Sequence, residues 1–114
     1  MTALNVTLYV TLNGSGAGSL KAGPASAREV WNVTSVSVKT LQTQAQIVNE
    51  SQCDISAGDV NTKAFKDGTF SGSSGDVTDQ ITEPVKFSEF VWADWTLGDA
   101  GAIAVLTITG SKNV

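Results

Sequence analysis

Apolar and polar residues alternate at the start of the chain, where Leu4, Val6, Leu8, Val10 and Leu12 are separated by Asn5, Thr7, Tyr9 and Thr11. A period of two places the first set on one face and the second on the other, which predicts a strand with one apolar and one wet face. The run Asn13-Gly14-Ser15-Gly16-Ala17-Gly18-Ser19 then breaks all regularity and predicts a flexible loop. Lys21-Ala22-Gly23-Pro24 follows, and Pro24 stops a helix from starting straight out of the glycines. A second strand is expected over residues 30–40. Its phase changes along the way: Trp31 and Val33 share one parity, Val36 and Val38 the other. Either both faces are covered, or a bulge near Thr34 and Ser35 switches the phase.

Residues 45–48 and 53–57 make two shorter strand candidates, separated by Asn49-Glu50-Ser51. Asp67-Gly68 and residues 71–76 have turn or loop chemistry. A short extended piece begins at Ile81 and is expected to end at Pro84. Residues 87–96 predict a strand with Phe90, Trp92 and Asp94 on one side and Val91, Ala93 and Trp95 on the other. Leu97-Gly98-Asp99-Ala100-Gly101 reads as a hairpin connection to a partner strand over 102–109. Both strands carry apolar residues on both faces, as a central pair covered twice would. No window has helical periodicity. The expected fold is therefore all-β, a single antiparallel β-sandwich or jelly roll of about seven or eight strands. One domain spans 1–114, with a short N-terminal strand or arm and a Gly-rich loop at 13–24.

Composition narrows the function classes. The 114 residues are 41% hydrophobic and only 16% charged, against roughly 25% charged in average soluble domains. Thr, Ser, Gly, Asn and Gln supply the polarity, and a surface of short hydroxyls and amides loses little side-chain entropy when a neighbour covers it. Net charge is −4, and Lys21, Arg28, Lys39, Lys63, Lys66, Lys86 and Lys112 are scattered. Without a basic patch no nucleic-acid partner is expected. No apolar run approaches the ~18 residues of a spanning helix, so no membrane partner is expected either. The first residues, Met1-Thr2-Ala3-Leu4-Asn5, lack the charged and apolar regions of a signal peptide. Synthesis and assembly in a cytoplasm are the expectation.

The chain has no histidine and one cysteine, Cys53. That removes most general acid–base, zinc and thiol–histidine chemistry, and Cys53 reads as a small buried strand residue. The Gly14–Gly18 run lacks the Gly-Lys-Ser/Thr ending of a phosphate loop and precedes no helix. Ser73 and Ser74 lack both the nucleophile-elbow pattern and a histidine partner. Carboxylate pairs such as Asp76/Asp79, Glu83/Glu89 and Asp94/Asp99 have no catalytic spacing, and no calcium-loop run surrounds Asp76 and Asp79. Sequons at Asn5, Asn13, Asn32 and Asn49 are chance products of a Thr/Ser-rich chain. No enzyme activity, cofactor or metal is expected. Trp31, Trp92 and Trp95 carry more information. Trp92 and Trp95 have opposite parity, so one faces the core and the other a partner, a ligand or solvent.

Four segments stand out together: Arg28-Glu29-Val30-Trp31-Asn32-Val33-Thr34, Asp67-Gly68-Thr69-Phe70-Ser71-Gly72-Ser73-Ser74-Gly75-Asp76, Glu89-Phe90-Val91-Trp92-Ala93-Asp94-Trp95-Thr96-Leu97-Gly98-Asp99-Ala100-Gly101-Ala102, and Leu106-Thr107-Ile108-Thr109-Gly110. In this order they resemble small structural proteins of tailed bacteriophages of actinobacteria. The likeness is one of composition and order over residues 14–110, with Leu97 standing where a second glycine is expected. It implies a non-enzymatic virion component without placing it in the virion. Joined to the short chain, the absent catalytic residues and the flat hydroxyl-rich surface, it leads to the expectation of a capsid decoration protein on the outer face of the major capsid lattice, assembled in the host cytoplasm. Its implied partners are the major capsid protein and further copies of itself, with a trimer as the working symmetry. A minor tail or head–tail joining protein is the alternative, and a carbohydrate-binding module for host attachment the second. The contact candidates are Leu4, Tyr9, Leu20, Lys21, Pro24, Trp92 and Trp95.

Overall fold

The computed structural model describes residues 2–41, 52–59, 61–62, 64–70, 77–79, 83–86 and 89–113. These residues form β1 (Thr2–Thr11), β2 (Gly18–Ala22), β3 (Val30–Leu41), β4 (Gln52–Gly58), β5 (Ala64–Phe70), β6 (Val77–Asp79), β7 (Glu83–Val85), β8 (Phe90–Thr96) and β9 (Ile103–Asn113), with no helix among them. One sheet has the order β1-β9-β3-β6, with β7 also on β3; the other has the order β2-β8-β4-β5. Every pairing is antiparallel. β1 pairs with β9, β2 with β8, β3 with β6 and β7, and β4 with β5, so the chain winds as one long folded-over hairpin. That winding is a jelly roll, the expected two-sheet sandwich. β6 and β7 meet β3 at successive positions and act as one interrupted strand, which brings the nine segments to eight strand positions.

The core lies between the sheets. Trp31, Val33, Val36, Val38, Ala104, Leu106 and Ile108 face it from one side, and Cys53, Ile55, Val91, Ala93 and Trp95 from the other. The phase change in β3 is a bulge. Val33 pairs with Gly110 and Ser35 with Thr109, leaving Thr34 as the extra residue. This inserted position lets Trp31 and Val33 share a face with Val36 and Val38. Gly110 makes room for the turn of chain, since a Cβ there would lie 2.0 Å from the Asn32 carbonyl oxygen.

Several expectations need correction. β8 and β9 are not a hairpin: β8 pairs with β2 and β4, and β9 with β1 and β3. Residues 97–102 instead cross from one sheet to the other, and the two strands each occupy an inner position of their own sheet. The loop expected at 13–24 contains β2, which hydrogen-bonds to β8 along Gly18–Ala22. Of the two readings of the N-terminal segment, strand or arm, it is a strand, ten residues long and paired with β9 throughout. Asp67 and Gly68 lie within β5, beside a register shift, and Pro84 lies inside β7. β7 borders the sheet, the position where a strand tolerates proline. The strand candidate at 45–48 and the loop at 71–76 fall outside the described residues.

Candidate interaction surfaces

Alternation along β8 decides which tryptophan is available. Val91, Ala93 and Trp95 point inward, and Trp95 is 1% exposed opposite Cys53. Phe90, Trp92 and Asp94 point outward and are half-buried. On this outer face the Phe90 and Trp92 rings meet edge to face, with centroids 5.7 Å apart. β2 brings Lys21 into register with Trp92, and its Nζ lies 4.8 Å from the Phe90 centroid and 5.4 Å from that of Trp92. The ammonium therefore sits against two π faces, an attraction of about 0.5–1 kcal/mol at exposed sites. The Trp92 indole N–H donates to the Gly58 carbonyl at 3.4 Å.

The next row pairs Asp94 of β8 with Asp54 of β4 and Ser19 of β2. Two carboxylates directly opposite one another repel, and donors answer them from both sides. The Ser19 hydroxyl donates to Asp94 at 2.7 Å, and the Gln52 amide to Asp54 at 3.3 Å. The outer face of β2-β8-β4 is thus an aromatic–cation cluster beside a polar row rich in acceptors.

The outer face of the other sheet has a different character. Its rows read Asn5–Thr109–Ser35, Thr7–Thr107–Ser37 and Tyr9–Val105–Lys39. The first two rows carry only hydroxyls and one amide. The third ends in Tyr9, which is 63% exposed.

The seven contact candidates separate by parity. Tyr9 and Lys21 are exposed, and Trp92 is half-buried on an outer face. Leu4, at 4% exposure, and Trp95 belong to the core, while Leu20 packs against it from the inner side of β2. Pro24 is buried as well. These four have little or no surface to offer a partner. Sequence reasoning placed Phe90 with Trp92 and Asp94 but missed Asp54, Ser19 and Gln52 as members of the same face, because the pairing that gathers them spans as many as 75 residues. Trp31 is 6% exposed and donates its indole N–H to Glu29.

Two further features have local causes. Asp59 accepts from the N–H of Asn61 at 2.8 Å, from the N–H of Thr62 at 2.7 Å and from the Thr62 hydroxyl at 2.8 Å. These bonds, the Thr62 hydroxyl foremost, hold its carboxyl below the usual aspartate range. Cys53 is buried and in no disulfide. Among the described residues no group of three or more His, Cys, Asp or Glu side chains is placed to hold a metal ion. The carboxylates of Asp76 and Asp79, weighed above as a calcium-loop pair, lie outside the described side chains.

No family model and no curated protein matches this chain. Among solved structures, the crystal structure of the Yersinia pseudotuberculosis-derived mitogen is similar, with a TM-score of 0.58 over 93% of this chain and 85% of that one. The two sequences are 9% identical. At that identity the likeness is one of fold alone: two unrelated-looking sequences that wind into similar all-β structures.

Proposed function

We propose that this chain is a non-enzymatic virion structural protein, a capsid decoration protein that seats on the outer face of a major capsid lattice and stabilises the closed shell. The observation that carries the reading is the uncharged hydroxyl face Asn5–Thr109–Ser35 and Thr7–Thr107–Ser37 across β1, β9 and β3. Such side chains are short, so covering them costs little conformational entropy, and each offers a donor and acceptors to whatever lies on top. A protein that binds the assembled lattice and not free subunits stabilises the shell by mass action, and repeated copies add their contributions. The test is the copy number of this chain relative to the major capsid protein in purified particles, by quantitative mass spectrometry. A ratio near one, or a simple fraction of it, is expected. A handful of copies per particle would overturn decoration in favour of a minor tail or head–tail joining role.

A second reading draws on the other face. Phe90 and Trp92 lie beside Asp94, Asp54 and Gln52, and aromatic rings next to acceptors are the chemistry that holds sugars in a carbohydrate-binding module. Titration of the protein with host-surface glycans, followed by tryptophan fluorescence in wild type and Trp92→Phe, tests it. A saturable change in wild type that disappears in Trp92→Phe supports the module. No change at millimolar glycan removes it.

A further inference from the structure

The four edges that the described strands leave are not equally protected. Natural sheets blunt an open edge with charge, proline, a bulge or brevity, because unpaired backbone N–H and C=O groups otherwise template another strand. β2 is five residues long and carries Lys21. β5 contains Lys66 and Asp67 and a register shift against β4. β6 and β7 are three residues each and include Asp79, Glu83 and Pro84. β1 has none of these devices. Its ten residues, Thr-Ala-Leu-Asn-Val-Thr-Leu-Tyr-Val-Thr, include no charge and no proline, and its register against β9 runs unbroken from Thr2 to Thr11. No described strand hydrogen-bonds to the side of β1 turned away from β9, although the Val10 side chain at its end packs toward Gly18 of β2. The core is also left ajar there: Val6, Leu8 and Val10 point inward yet are only partly buried, whereas Val36 and Ile108 are fully enclosed.

We propose that the β1 edge is a strand-addition site for a second copy of this chain, two β1 strands pairing antiparallel about a two-fold axis. The occupant follows from self-complementarity. Among the described edges β1 is the one long and uncharged enough to pair without cost, so a second copy offers β1 as its best mate. Directly opposed residues in an antiparallel pair point to the same face, and only registers that keep inward residues opposite inward ones continue the sandwich. The register centred on Thr7 does so. It sets Val6 against Leu8 and Leu4 against Val10 inside, and Thr7 against Thr7, Asn5 against Tyr9 and Ala3 against Thr11 outside. A register one step back, centred on Val6, sets Val10 against Thr2 and loses one of these aliphatic pairs. The Thr7 seam closes over the aliphatic side chains that β1 leaves half-covered and opposes no like charges. One strand seam is smaller than the roughly 1,200 Å² of a standard interface. The dimer is therefore weak in dilute solution and gains strength where copies are held side by side. The inference stands apart from the capsid reading and does not need it.

Sedimentation velocity of the wild-type protein from micromolar to near-millimolar concentration is expected to show a monomer–dimer equilibrium. Thr7→Cys is expected to form a disulfide dimer under mild oxidation, because opposed Cα atoms about 4.5–5.5 Å apart suit a disulfide. Thr11→Cys, which faces Ala3 across this register, is expected to cross-link far less, and native Cys53 is enclosed. Asn5→Lys with Thr7→Lys places cations across the axis at two exposed positions; it should weaken the dimer at least ten-fold and leave the far-UV spectrum unchanged. A wild-type monomer throughout, a trimer, a dimer indifferent to the lysines, or equal cross-linking at positions 7 and 11 would each overturn the proposal. Copy number in particles is measured separately, so the two readings fail separately.

Discussion

Gly16 and Gly98 lie backbone against backbone: the Gly98 N–H donates to the Gly16 carbonyl at 3.0 Å. Together with Leu12 N–H to the Ala102 carbonyl at 2.8 Å and Gly101 N–H to the Leu12 carbonyl at 3.0 Å, this contact joins the β1–β2 loop to the β8–β9 crossing. The glycine-rich segment is therefore braced at one end of the sandwich. Asn13 tightens it further, its side-chain oxygen accepting from the N–H groups of Ser15 at 2.8 Å and Ala17 at 3.2 Å.

Gly16 has φ +73°, and a Cβ on it would lie 1.9 Å from the Gly98 carbonyl oxygen. Gly16→Ala is expected to destabilise by at least about 2 kcal/mol, since left-handed strain adds to a backbone clash. Gly14, two residues earlier, has nothing within 4 Å of its added Cβ and no left-handed φ. Gly14→Ala is expected to be neutral or stabilising by about 0.4–1 kcal/mol. Denaturant midpoints of the two variants check both.

Leu97 is left-handed at φ 63° and 66% exposed. A leucine there carries roughly 1–2 kcal/mol of steric cost and returns little burial. Leu97→Gly removes that cost against an entropic penalty of about 0.5–1 kcal/mol, so unchanged or slightly higher stability is expected. A thermal unfolding midpoint lowered by several degrees would show that the leucine makes a stabilising contact.

The two tryptophans of β8 should behave as opposites. Trp95→Ala empties a fully enclosed site and is expected to cost about 3–5 kcal/mol. Trp92→Ala removes a half-buried ring from an outer face and is expected to cost far less. Acrylamide quenching gives an independent reading: Trp92→Phe should lose most of the quenchable emission, while the remaining Trp31 and Trp95 stay protected.

Asp59 ties stability to acid pH in a small way. Its folded pKa lies below the ordinary value because the Thr62 hydroxyl and the Asn61 and Thr62 N–H groups favour the charged form. The contribution is complete above the unfolded pKa and disappears as pH falls through the folded one. NMR titration should find the Asp59 carboxyl titrating below the model aspartate, and Thr62→Val should move it back upward. An unmoved midpoint in Thr62→Val would assign the effect to another group.

Within single strands, sequence alone determined a good deal. The alternation of Phe90, Trp92 and Asp94 against Val91, Ala93 and Trp95 is a property of the extended backbone, which turns successive side chains to opposite faces whatever they pair with. The phase change between Val33 and Val36 likewise narrowed β3 to two readings, two covered faces or a bulge near Thr34, and the register against β9 selected the bulge. What the strands pair with was decided only in three dimensions. β8 and β9 both carry apolar residues on both faces and are joined by turn-forming residues, a description that a hairpin and a crossing between sheets satisfy equally. The five residues of β2 hold no strand signal strong enough to outweigh the glycines around them, and they become a strand because β8 supplies the ladder. Lys21 came to rest on Phe90 and Trp92, and Ser19 on Asp94, through that same distant pairing. Periodicity is local and survives in the sequence. Pairing is a competition among edges far apart along the chain, and burial of the shared core settles it.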